Sequence, residues 1–150
     1  MDRGSKMNTL DAIRQRRATK QFDAQHVMTL EEKKALLTIA LQGAPSAFNL
    51  QHWRPLLIED RAQREKIREA AWGQAQVTDA SMLVVLCGDL SSWESQVKNV
   101  WAEAAEPVQQ FMIPAVDQYY RGKPQVQRDE VMRSSGIFAQ TLMQIGRAHV

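Results

Sequence analysis

A helical pattern gives way to a strand-like pattern at the segment Ala44-Pro45-Ser46-Ala47-Phe48-Asn49-Leu50-Gln51-His52-Trp53. Gly43 and Pro45 end the preceding helix, because neither residue favours its continuation. The Ser, Asn and Gln side chains that follow supply several hydrogen-bond donors and acceptors on an aromatic-anchored backbone. The segment contains no acid and no thiol. We therefore predict a loop that holds a flat polar ligand and does not perform acid–base chemistry alone.

Capping residues and apolar spacing predict the helices that precede this loop. Asn8 or Thr9 can cap a first helix over residues 10–17. Thr29, followed three residues later by Glu32, resembles a capping box at the start of a second helix. The apolar residues of that helix recur at helical spacing, at Leu36, Leu37, Ala40, Leu41 and Ala44.

Two short strands are predicted after the loop. Residues 56–58 have a strand pattern, and residues 61–71 have the pattern of a polar helix with Ile67 and Ala70 on its inner side. Residues 82–87 give the strongest strand pattern of the chain. Because their apolar side chains do not alternate with polar ones, we expect helices to cover both faces of this strand.

The second half of the chain is predicted to be mostly helical. Residues 94–144 fit helices that break near Pro107, Pro114 and residues 122–124. The last helical pattern places three apolar residues on one side, namely Val131, Phe138 and Leu142. Helices that flank a few short strands indicate a mixed α and β class.

Length and composition favour one domain with an ordinary core. The chain has 150 residues, of which 44% are hydrophobic and 24% charged. Its longest apolar run, residues 82–87, is too short to cross a bilayer, so we expect no membrane partner. The single Cys87 excludes an internal disulfide and is predicted to be buried, which favours a cytoplasmic location. The histidines and Cys87 lack the spacing of metal ligands.

Basic side chains are concentrated near the N-terminus. Residues 1–20 carry six basic and two acidic side chains, whereas the remainder is slightly negative. Arg16, Arg17 and Lys20 could bind one anion, since guanidinium groups match phosphate oxygens. Spacing alone favours a solvated helix end, where cations interact favourably with the helix dipole. A basic arm for nucleic acid is a second alternative.

Two segments together resemble the FMN-dependent nitroreductase family. The family signature Arg-Arg-Ser-x-Arg/Lys-x-Phe is similar to Arg16-Arg17-Ala18-Thr19-Lys20-Gln21-Phe22. The signature Ala-Pro-Ser-x-x-Asn-x-Gln-Pro-Trp is similar to residues 44–53, with His52 in place of proline. A weaker likeness covers residues 73–81, and the whole resemblance extends from Leu10 to Leu142. It implies an α+β, nitroreductase-like fold with a small central sheet covered by helices.

The resemblance also implies a binding site for FMN. It would place Arg16 and Arg17 at the phosphate and Lys20 near the pyrimidine side of the flavin. Ser46 and Asn49 would contact the isoalloxazine or the ribityl chain, with Gln51 beside them, and Gln74 would bind the polar edge of the ring. Ala18 replaces the usual serine, so one hydrogen bond to the phosphate would be absent.

The function implied is that of an NAD(P)H oxidoreductase that reduces nitroaromatic or quinone-type acceptors. Hydride would pass through N5 of the flavin in a ping-pong reaction, so no catalytic side chain and no metal need appear in the sequence. The family also implies a homodimer. We expect no nucleic-acid partner, because the rest of the chain is nearly neutral and has no recognisable recognition helix or aromatic platform. Two other functions stay open, a module that binds phosphate or nucleic acid through the basic segment, and an inactive fragment.

Three aromatic or imidazole residues are candidates for more than one role. His52 suits packing or hydrogen bonding, or a proton donor to a substrate. Trp53 is expected in the core. Phe111 and Tyr120 are expected either in the core or beside a substrate pocket.

Both ends of the chain look unlike the family. Residues 1–6 resemble a loose extension. Residues 145–150 resemble the translation of a sequencing-library adapter, so we expect a single nitroreductase-like domain that is incomplete at its C-terminus.

Overall fold

The computed structural model describes residues 8–148, with side chains through residue 146. The extension expected at residues 1–6 and the last two residues lie outside this range. The chain divides into two compact units. The first unit takes in residues up to 42, 55–85 and from 140 onward, and the second takes in residues 43–54 and 86–139. Each unit is described separately.

The first unit begins with two capped helices. Helix α1 spans Thr9–Gln15, and the Asn8 side chain accepts a hydrogen bond from the Asp11 N–H (3.0 Å). Helix α2 spans Leu30–Gly43, and the capping box before it is confirmed. The Glu32 N–H donates to Thr29 Oγ1 (3.2 Å), and the Thr29 N–H donates to Glu32 Oε2 (2.7 Å). Both caps satisfy backbone N–H groups that have no partner within their helices.

Arginine, rather than an apolar residue, is the buried side chain of the next helix. Helix α3 spans Arg61–Ala70, and the short helix α4 spans Gln76–Asp79. Arg64 is only 8% exposed, and it donates to the carbonyls of Ile58 (2.8 Å) and Ala80 (2.6 Å). The predicted inner side of α3 was therefore partly wrong, since Ile67 is half-buried and Ala70 is exposed. The hydropathy pattern does not predict the burial of Arg64, because carbonyl oxygens distant in sequence compensate its charge.

The two strands form one antiparallel ribbon. Strand β1 spans Trp53–Leu57 and strand β2 spans Val84–Gly88. Within the first unit the Ile58 N–H donates to the Leu83 carbonyl (2.9 Å), and within the second the Asp89 N–H donates to the His52 carbonyl (2.8 Å). Strand β1 begins three residues earlier than predicted, because this pairing starts directly after the loop.

The predicted burial of β2 was wrong at its end. Cys87 and Gly88 are exposed, and the residues before them are half-buried. An apolar run predicts a strand, but the burial of that strand depends on which elements pack against it.

Four helices form most of the second unit, and the last of them continues beyond residue 139 into residues assigned to the first unit. The four helices are α5 (Ser92–Ser95), α6 (Val97–Val100), α7 (Glu106–Tyr120) and α8 (Pro124–Ala148). The break before α8 is confirmed, and Gly122 adopts a left-handed φ of 72° there. The break expected at Pro114 is wrong, since α7 continues through it. Buried Val116 and Tyr120 hold this helix in place by packing, which outweighs the missing hydrogen bond of one proline.

Aromatic and aliphatic side chains form the core of the second unit. The buried cluster consists of Leu50, Trp93, Val97, Val116 and Tyr120. Trp53 is 2% exposed and stacks on Phe138, with ring centroids 5.1 Å apart, so its predicted place in the core is confirmed. Helix α8 buries Val131 and Phe138 as predicted, and Leu142 is half-buried. The helix continues to Ala148 without a break at residue 145.

We predict that Gly88→Ala destabilises the fold. A Cβ atom at this position would lie 2.3 Å from Val131 Cγ1, so β2 or α8 must shift. Such overpacking costs about 1–3 kcal/mol in the free energy of unfolding, measurable by urea denaturation. Gly43→Ala at the end of α2 is the matched control, because nothing lies within 4 Å of its added Cβ. Equal stability of the two variants would contradict the close packing of Gly88.

Candidate functional site

The loop between α2 and β1 has an unusual backbone. A 3-10 turn covers Ala47–Asn49, and three residues have left-handed φ angles: Phe48 (52°), Asn49 (56°) and Gln51 (48°). None of them is glycine, and each such residue costs about 1–3 kcal/mol. A strained backbone of this kind persists only where neighbouring contacts hold it, and such segments are concentrated at functional sites.

Hydrogen bonds close the strained loop on itself. Ser46 Oγ accepts from the Gln51 N–H (2.9 Å), and the Ser46 carbonyl accepts from the Asn49 N–H (3.0 Å). Arg54 Nη1 then donates to the Gln51 carbonyl (2.8 Å). Ser46 therefore links the two ends of the strained stretch.

Polar and apolar members of the loop face different surroundings. Leu50 is fully buried, and the Phe48 ring packs near Tyr119 (5.4 Å between centroids). The side chains of Asn49 and Gln51 are exposed, and Gln51 Nε2 donates to Asn49 Oδ1 (3.3 Å). The loop thus anchors itself by its apolar residues and presents two neighbouring amides to solvent.

His52 follows the loop and is fully buried. Its Nδ1 is hydrogen-bonded to Ser92 Oγ, and its Nε2 lies 3.5 Å from the Tyr120 hydroxyl. Burial lowers the pKa of His52, because the charged imidazolium loses its hydration there. A buried ring with both nitrogens near protein partners fits the packing and hydrogen-bonding role.

An ion pair lies beside His52. Arg54 Nη2 contacts Asp89 Oδ2 at 2.9 Å. Burial acts to raise the pKa of Asp89, but hydrogen bonds from Ser91 and the Arg54 guanidinium outweigh it and hold the pKa below its ordinary value. Because Arg54 also binds the Gln51 carbonyl, this pair ties the loop to the segment after β2.

The predicted cationic segment lies in the first unit, without regular secondary structure. Arg16 forms the C-terminal cap of α1 and is half-buried, and its guanidinium has no partner among residues 8–146. The exposed Lys20 ammonium likewise has no partner in that range. Arg17 differs, because its Nη1 donates to the carbonyls of Arg14 (2.7 Å) and Arg16 (2.9 Å). Two cations are therefore available to an anion, whereas Arg17 also caps the helix end.

Gln74 lies in the turn between α3 and α4, also in the first unit. Trp72 and Gly73 have left-handed φ angles of 56° and 71°, and the Arg68 side chain donates to the Gly73 carbonyl (3.1 Å). Gln74 is exposed and accepts a hydrogen bond from Gln76 Nε2 (3.3 Å). Its amide nitrogen can donate to another group.

The predicted site residues therefore fall into three groups. Ser46, Asn49 and Gln51 share one loop of the second unit, the three cations share one segment of the first, and Gln74 stands in a separate turn of the first. Sequence reasoning missed Ser92, since a serine among several serines carries no signal. His52 was noted only as a departure from proline.

Two further expectations are resolved by burial. Tyr120 belongs to the core, and burial raises its pKa far above the ordinary value for tyrosine. Phe111 is 71% exposed.

Among residues 8–148, no group of three or more His, Cys, Asp or Glu side chains is placed to hold a metal ion. None of the helices in that range combines the length and apolar character needed to cross a membrane.

Comparison with known proteins agrees with the two sequence signatures. The sequence profile of the nitroreductase family matches residues 13–149. The DrgA protein of Synechocystis sp. is 44% identical over 142 residues, which cover 95% of this chain and 67% of DrgA. YodC of Bacillus subtilis, a candidate NAD(P)H nitroreductase, is 29% identical over 147 residues and is covered to 71%.

Solved structures show the same fold. A candidate nitroreductase of Exiguobacterium sibiricum, determined in complex with FMN, superposes with a TM-score of 0.86 and 25% identity, over 95% of this chain and 71% of the other. The chain belongs to the nitroreductase family. It spans between 67% and 71% of the length of these three relatives.

We predict that His52 makes the fold less stable at mildly acidic pH. With its folded pKa below the ordinary 6.5, unfolding lets the imidazole bind a proton that the folded state excludes. Stability is therefore complete above the unfolded pKa and falls as the pH drops below about 6.5. The free energy of unfolding, measured by denaturation between pH 5 and pH 8, should fall more steeply with decreasing pH in the wild type than in His52→Asn. Parallel pH profiles would contradict the buried neutral ring.

Proposed function

We propose that the chain is an FMN-dependent NAD(P)H oxidoreductase of the nitroreductase type. The observation that supports this most strongly is the strained loop that presents the amides of Asn49 and Gln51, in a chain that belongs to this family. A relative of known structure carries FMN. The proposal covers the cofactor, the co-substrate and the class of acceptor.

The residues present fit FMN by their chemistry. The phosphate needs cations, and Arg16 and Lys20 have no competing partner among the described side chains. The pyrimidine edge of the flavin carries both donors and acceptors, which side-chain amides can match. Asn49, Gln51 and Gln74 are exposed amides that meet this need.

Each residue then has a proposed task. Arg16 and Arg17 would bind the phosphate, and Lys20 would place positive charge near the pyrimidine side, where reduced flavin gathers negative charge. Ser46, Asn49, Gln51 and Gln74 would orient the ring and ribityl chain. When bound, FMN would supply hydride transfer between NAD(P)H and a nitroaromatic or quinone acceptor.

Ser46 can hold a ligand and the loop at once. Its oxygen accepts the Gln51 N–H, which leaves the hydroxyl hydrogen to donate. Arg17 contributes less free charge than Arg16, because part of its guanidinium serves the carbonyls of α1. We therefore expect Arg16 to matter more for phosphate binding than Arg17.

A homodimer and a cytoplasmic location complete the proposal. An apolar groove of about 530 Å³ runs along the second unit, between the end of β2 and α8, and its lining includes Leu86, Leu90 and Met132. Exposed apolar surface of this kind is often covered in an assembly. The exposed thiol of Cys87 suits a reducing compartment. Light scattering of the purified protein would report the oligomeric state.

We predict that the purified protein, once mixed with FMN, retains the visible absorbance of FMN after desalting. Arg16→Ala and Lys20→Ala should each weaken FMN binding about tenfold or more, because each removes a charge-assisted contact. Flavin fluorescence quenching measures the affinity. Arg61→Ala and Lys98→Ala are matched controls at exposed helix positions. Unchanged affinity in both site variants would remove the cationic segment from the site, and a colourless protein that binds DNA would favour a nucleic-acid module.

We further predict NAD(P)H oxidation that depends on added FMN and on a nitroaromatic or quinone acceptor. A ping-pong reaction gives parallel lines in double-reciprocal plots at several acceptor concentrations. His52→Asn should keep the same dependence of rate on pH, since the buried ring donates no proton to substrate. Intersecting lines would contradict the ping-pong mechanism.

A further inference from the structure

Hydrogen bonds within the strained loop connect its two ends. Phe48, Asn49 and Gln51 keep left-handed φ angles, and Ser46 bridges to Gln51 within the loop. Contacts from outside the loop also act on Gln51, the last strained residue.

The segment after β2 takes part in these contacts. The Asp89 N–H donates to the His52 carbonyl (2.8 Å), directly after Gln51. Arg54 joins the Gln51 carbonyl (2.8 Å) to the Asp89 carboxylate (2.9 Å). Both contacts act on the backbone next to the strained position.

The ring of His52 makes a third contact with this segment, a hydrogen bond to Ser92 whose donor and acceptor can be assigned. Ser92 Oγ donates its only hydrogen to the Asp89 carbonyl (2.9 Å), so toward His52 it can only accept. His52 therefore carries its proton on Nδ1 and donates to Ser92. Nε2 is left as an acceptor that faces the Tyr120 hydroxyl.

Burial makes each hydrogen bond of this chain costly to lose. His52, Ser92 and Tyr120 are all fully buried, so no solvent water replaces a lost partner. A ring held at both nitrogens restrains the position of the His52 backbone. Gln51 is the preceding residue, so this restraint acts directly beside the last strained position.

We propose that His52 is a positioning residue that holds Gln51, and with it the turn from Ser46, in the conformation that presents the Asn49 and Gln51 amides to the cofactor. The link to the cofactor rests on the proposed function. The link between His52 and the loop does not, so the two can fail separately.

Hydrogen exchange of the cofactor-free protein tests the link to the loop. His52→Leu removes both ring nitrogens, and Ser92→Ala removes only the acceptor. Each should raise amide exchange in residues 46–52 by about three- to tenfold, the loss expected for one buried hydrogen bond, with little change in α3. His52→Asn keeps a donor within reach of Ser92 and should restore most of the protection.

Matched controls and a double variant sharpen this test. His26→Asn changes an exposed histidine, and Ser95→Ala changes an exposed serine of the same helix as Ser92. Neither should alter exchange in the loop. Because His52 and Ser92 act through one hydrogen bond, combining His52→Leu with Ser92→Ala should raise exchange no further than His52→Leu alone.

The affinity for FMN tests the second link. Measured well below the unfolding temperature, His52→Leu and Ser92→Ala should weaken binding several-fold, and His52→Asn should stay near wild type. A wild type that binds no FMN would overturn the proposed function, while the exchange data would still decide the role of His52. Unchanged loop exchange in Ser92→Ala and His52→Leu, or an equal rise throughout the chain, would overturn the positioning role.

Discussion

The hydrogen bond from the Asp89 N–H to the His52 carbonyl is the constraint on which the candidate loop depends. It fixes the register at the end of the antiparallel pair formed by β1 and β2. In this register Arg54 meets Asp89, and His52 lies beside Ser92. A shift by one residue would turn each side chain of β1 to the opposite face and break both contacts at once. Sheet pairing, loop shape and the burial of one histidine are thus parts of a single arrangement.

Local signals made much of the fold predictable. The capping box of Thr29 and Glu32 fixes the start of α2 within four residues of sequence, and its partners need no distant contact. The two signatures likewise identified the family from residue types at fixed spacing. The loop was predicted to present polar groups, and Asn49 and Gln51 do so.

What escaped prediction depends on partners far apart in the chain. Arg64 is buried because carbonyls at residues 58 and 80 accept its guanidinium hydrogens, which no hydropathy pattern reveals. Pro114 stays inside α7 because the buried residues after it stabilise the helix. The pairing of His52 with Ser92 joins residues 40 positions apart. Even the left-handed angles of Phe48 and Asn49 could not be read from the sequence, since no glycine marks them.

The exposed thiol at the end of β2 has a practical consequence for handling this protein. Cys87 is the single cysteine of the chain, so oxidation in air can link it only to another molecule. A covalent dimer on a non-reducing gel would then record storage conditions and not native assembly. The same uniqueness makes Cys87 a one-to-one attachment point for a fluorescent dye, two residues from the carboxylate that pairs with Arg54.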